Sequence, residues 1–71
     1  MDEKLLNERV RKAAHDVRTP LTSIAGFAEL LRDDPALPMD ARENARMIFD
    51  EAKRLSDVIE DFFDDVTNKP E

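Results

Sequence analysis

The stretch "DDPALPMDARE", residues 33–43, decides how the rest of the chain is read. Pro35 and Pro38 lack an amide hydrogen and crowd the preceding turn, so neither fits inside a regular helix. Asp40 is a good capping residue, and Glu43, three positions on, can reach back to it in the capping-box pattern. The stretch predicts one helix ending near residue 32, a loop over 33–40 and a second helix starting near 41.

Upstream, residues 2–32 carry a helical period. Val10, Val17, Ile24 and Leu31 recur every seven residues; Leu6, Ala13, Pro20 and Phe27 form a second such series, and Ala14, Leu21 and Ala28 a third. Together they make an apolar stripe broader than a strict two-position seam. About 30 residues at roughly 1.5 Å each give a rod about 45 Å long. Downstream, Ala45, Ile48, Ala52, Leu55, Ile59, Phe62 and Val66 step alternately by 3 and 4 residues, which predicts a single heptad seam. "TNKP" at 67–70 supplies a stop signal. The charge-rich flanks "DEKLLNERVRK" (2–12) and "DEAKRLSDVIED" (50–61) read as solvated faces with pairs one turn apart.

The expected fold is all-α, an antiparallel two-helix hairpin. With 71 residues, the chain is short for burying a core of its own, and such domains usually add disulfides, a metal or a partner chain. There is no cysteine, which removes disulfides and thiolate metal sites. Pairing two hairpins into a homodimeric four-helix bundle covers both apolar stripes. A net charge of −6 argues against a nucleic-acid surface. No apolar run approaches the roughly 18 residues of a membrane span, so no membrane contact is expected from this segment. The composition fits a reducing, cytoplasmic setting.

The lone histidine, His15, lies about 160° around the helix from Val17 and about 140° from Val10. It is expected in water, opposite the stripe. The positions one turn away are Arg11, Lys12, Arg18 and Thr19, a poor set for a metal. Three cations suit an anionic group on or near the imidazole, a phosphoryl group above all. Asp16 could hold or accept the ring proton, and the Thr19 hydroxyl could orient a water or a phosphate oxygen. A simply solvated histidine is the competing reading. Pro20 costs roughly 3 kcal/mol relative to alanine in a helix interior. The stripe stays in phase across it, which favours one bent helix over two.

"HDVRTPLTSIAGFAELL", residues 15–31, resembles the H-box of sensor histidine kinases. Their dimerisation and histidine-phosphotransfer domain carries a His-(Glu/Asp)-x-x-(Thr/Asn)-Pro-Leu pattern. The resemblance implies that His15 is the phospho-accepting residue and that Asp16 assists proton transfer. It implies that Thr19 serves dephosphorylation of the partner regulator and that Pro20 is the flexing point. Thr22, Gly26 and Phe27 fall in the region implied to dock a response regulator receiver domain. Gly26 shares the exposed face of His15 and reads equally as a tolerated glycine, whereas Phe27 lies at the stripe edge and reads as core ahead of contact. The implied activity is that of a histidine protein kinase component, a phosphotransferase. ATP and Mg would be bound by a separate catalytic domain of the same kinase, since a chain with one glycine carries no such site. No cofactor or metal is expected in this chain, and it is expected to be an excised domain unable to phosphorylate itself. A membrane anchor would lie elsewhere in a longer protein. A dimerisation scaffold without phosphotransfer is the alternative from a different class.

Overall fold

The computed structural model describes residues 3–67. Two long helices, α1 (Glu3–Arg32) and α2 (Met39–Thr67), run antiparallel, giving a rod of 53 × 18 × 13 Å. The stop signal at 68–70 lies outside the described residues. Helix α1 runs unbroken through Pro20, as the phase of its stripe required. The Pro20 ring leaves the Asp16 carbonyl without its usual donor.

The connection is short and hydrogen-bonded. Asp34 N donates to Leu31 O (3.3 Å), Leu37 N to Asp34 O (3.2 Å) and Ala36 N to the Asp34 carboxylate (2.9 Å). Pro35 thus sits second in a turn closed by its preceding aspartate, where its fixed φ is an advantage. Helix α2 begins two residues before the expected start. Arg42 N donates to Pro38 O (3.1 Å), so Pro38, not Asp40, accepts the first intrahelical bond. The expected capping box does not form: Asp40 accepts from Ala41 N (2.9 Å), and the Glu43 carboxylate pairs with Arg46. Asp40 still places its charge in the first turn, where the helix dipole favours it. Arg42 Nε donates to Arg32 O (3.2 Å), satisfying an end carbonyl of α1, and the Arg32 guanidinium stacks 4.8 Å from the Phe49 ring centroid.

The core is thin. The buried apolar residues are Ala14, Leu21, Ala28, Ala45 and Ala52. Of the three α1 series, only Ala14, Leu21 and Ala28 is buried throughout; in the first, Val10 is half-buried and Val17 (40 %), Ile24 (47 %) and Leu31 (48 %) are exposed. The single seam expected on α2 divides in two. Ala45 and Ala52 are buried and Phe49, Ser56, Ile59, Phe63 and Val66 half-buried against α1, whereas Ile48, Leu55 and Phe62 are exposed. Alanines along the seam let the backbones approach closely, and the larger side chains form a separate apolar face. That face carries an open groove of about 600 Å³ between the helices, lined by Leu21, Ile24, Met47, Ile48, Leu55 and Val58 among others.

Candidate functional site

His15 is exposed, five residues before Pro20, where the α1 pattern puts it. Its surroundings are set by helix geometry. Asp16 lies on the flank and turns back one turn, where Lys12 Nζ donates to its carboxylate at 2.8 Å. This hydrogen bond holds the Asp16 carboxyl below the usual carboxylate range; slight desolvation opposes it, and the charges of Lys12 and His15 reinforce it. The Lys12 ammonium is raised correspondingly. The Thr19 hydroxyl donates to the carbonyl of His15 (3.2 Å), a back-bond that ties the residue to the turn carrying the imidazole. Its oxygen lone pairs remain available to a water.

The three cations expected around the imidazole are each engaged elsewhere in the chain. Lys12 holds Asp16, Arg18 crosses to Glu60 of α2 at 2.6 Å, and the Arg11 guanidinium lies 5.8 Å from the Phe63 ring centroid. An anion on His15 would have to draw these groups from their partners. The Arg18 and Arg11 contacts both cross the interhelical seam, so they fix the rotation of α1 against α2 on either side of His15.

Thr22, Gly26 and Phe27 are exposed. A Cβ built on Gly26 meets nothing within 4 Å, and no described residue has a positive φ. Neither packing nor backbone conformation within the hairpin therefore requires glycine there. Phe27 is 68 % exposed, so it is not core in the single hairpin. Ser23 and Leu30 share a shallow patch with Gly26 and Phe27, and Leu30 is 69 % exposed. Both escaped the sequence reading. The absence of charge over residues 19–28, in a chain that is 39 % charged, is a signal that finds Ser23; Leu30 lies beyond that window.

Among the described residues no cluster of three or more His, Cys, Asp or Glu side chains is placed to hold a metal ion. Likewise, no described helix is long and apolar enough to cross a membrane.

A family model described as the His Kinase A (phospho-acceptor) domain matches residues 5–69. The chain is 40 % identical over 63 residues to the sensor protein VanS of Enterococcus faecium, covering 87 % of this chain and 16 % of that protein. It is 36 % identical over 63 residues to the sensor protein VanSC of Enterococcus gallinarum (87 % and 18 %). It is 32 % identical over 63 residues to the sensor histidine kinase YcbM of Bacillus subtilis (87 % and 20 %). The chain thus spans under a quarter of the length of each of these relatives, and no solved structure matches it. With a helical hairpin that raises its sole imidazole into solvent beside an acid and a threonine, and a family match over nearly its whole length, the chain belongs to the His Kinase A phospho-acceptor domains.

Proposed function

We propose that this chain is the phosphoryl-carrying and dimerisation segment of a two-component sensor kinase, with His15 as the residue that takes the phosphoryl group. The exposure of His15 carries the reading, because an imidazole packed in a seam could meet neither an ATP-binding domain nor a receiver domain. In the first step a ring nitrogen attacks the γ-phosphorus of ATP held by a separate catalytic domain together with Mg. The bond to the ADP oxygen breaks, and Asp16 takes the ring proton once its carboxylate leaves Lys12. In the second step a carboxylate oxygen of a response regulator attacks the same phosphorus. The P–N bond breaks and the imidazole is reprotonated. Thr19 positions the water that hydrolyses the regulator's acyl phosphate, and Pro20 is the point about which the His15 turn is re-aimed. Thr22, Gly26 and Phe27 form the docking surface for the receiver domain.

The same reading includes a homodimer. Among the described residues every buried apolar position but Leu21 is an alanine, too little to hold a hairpin of this size. Large apolar side chains stand exposed from Val17 at 40 % to Met39 at 75 %, and a second copy covering that face builds the four-helix bundle.

The test is incubation with the cognate ATP-binding domain and ATP. Acid-labile phosphate on the wild-type chain, absent from His15→Gln, supports transfer. A chain that dimerises yet stays unlabelled supports the scaffold reading.

A further inference from the structure

The flank of α2 that borders the groove beside its α1-packed seam repeats with its own period. Asn44, Ile48, Glu51, Leu55, Val58 and Phe62 step by 4, 3, 4, 3 and 4 residues, which is a second coiled-coil seam beside the one packed on α1. Its apolar members are all exposed. Glu51 occupies a central position of that seam, between Ile48 and Leu55, and it lines the apolar groove with them. A carboxylate covered by a second copy is desolvated, and an unpaired buried charge is strongly disfavoured. Arg54 also lines the groove, and its guanidinium lies 3.7 Å from the Glu51 carboxylate. The charge therefore enters the interface with its counter-ion beside it.

We infer that Glu51, neutralised by Arg54, fixes the register in which this chain pairs with a second copy of itself. The inference rests on the homodimer reading above. A wholly apolar seam can slip by a turn or a heptad and still bury its side chains. A polar residue within it makes slipped alignments set the charge against aliphatic groups. One register then survives, at some loss of affinity. A second copy is the occupant that the charge pattern fits. Under two-fold symmetry each face presents the same Glu51–Arg54 pair, a neutral polar patch that meets its own image. A partner with a wholly apolar or one-sign face leaves that pair unmatched.

The wild-type chain has no cysteine, so Lys53→Cys, on the outer side of α2, provides a single site for a spin label. Inter-subunit distances are measured alongside the dimer dissociation constant from sedimentation equilibrium. With Glu51 present, one narrow distance is expected. Glu51→Leu is expected to tighten the dimer about tenfold and to split or broaden the distance distribution. Glu51→Gln, which keeps a polar group, is expected to retain the single distance, and a split distribution there overturns the inference. So does a Glu51→Leu dimer that is unchanged or weaker, or one that is tighter at the same single distance. A wild-type chain that stays monomeric at the highest concentration examined removes the homodimer reading itself, a result separable from these.

Discussion

Among the described residues Leu21 is the one large side chain that is buried, at 7 % exposure, while Leu30 on the same helix is 69 % exposed. Replacing each by alanine deletes the same three carbon atoms from opposite environments. At Leu21 the loss combines transfer of those atoms with a cavity between α1 and α2, about 2–5 kcal/mol for buried leucines. A chain of this length has a total stability of about 4–11 kcal/mol, so this is a large fraction. At about 4–8 °C per kcal/mol for a domain of this size, a cost near 3 kcal/mol lowers Tm by about 12–24 °C. Leu30→Ala removes surface that water already covers and should stay within about 0.5 kcal/mol. Thermal melts followed by circular dichroism, with both variants and the wild type at one matched concentration, read the difference. Equal shifts for the two variants, or a Leu21→Ala shift below about 4 °C, would refute the account of where the core lies.

Pro20→Ala restores a donor to the Asp16 carbonyl and should raise Tm, by up to about 3 kcal/mol of helix stability, while damping any switching of the His15 turn; a lower Tm counts against it. Thr19→Ala should spare phosphorylation of His15 and weaken dephosphorylation of the receiver partner, and equal loss of both in paired assays would contradict that division. Gly26→Ala should stabilise α1 by about 1 kcal/mol, since nothing obstructs a Cβ there, and should weaken receiver binding if a partner approaches that backbone closely; calorimetry of the complex decides. Lys12→Gln should move the acid limb of the phosphorylation-rate profile to higher pH. Lys12 holds the Asp16 pKa below its unfolded value of 3.8, so the pair stabilises the fold above that value and its contribution is lost as pH falls through the folded pKa. An acid limb unmoved in Lys12→Gln, beside a slowed Asp16→Asn, would show that the salt bridge does not tune the base.

The hairpin and its break were legible because two prolines within four positions admit one interpretation and because both flanks keep helical phase over several turns. His15 could be placed in water because a wheel sums only its own helix. What lay beyond a single wheel was which of several apolar series meets the other helix. Ala45 and Ile48 are 3 residues apart, so either begins a plausible heptad; only packing shows that Ala45 faces α1 and Ile48 does not. The pairing of Arg18 with Glu60 joins residues remote in sequence, and it diverts a cation that the wheel assigned to the imidazole. The cap failed for a local reason. Pro38 had already supplied the carbonyl that starts α2, which left Asp40 inside the first turn.

The most direct test of the central claim is ³¹P NMR of the chain exposed to a small phosphoramidate donor, without any ATP-binding domain. The account predicts a phosphohistidine signal that disappears on mild acidification and never forms in His15→Gln. No signal from a chain that melts cooperatively and dimerises, or a signal that persists in His15→Gln, would contradict it.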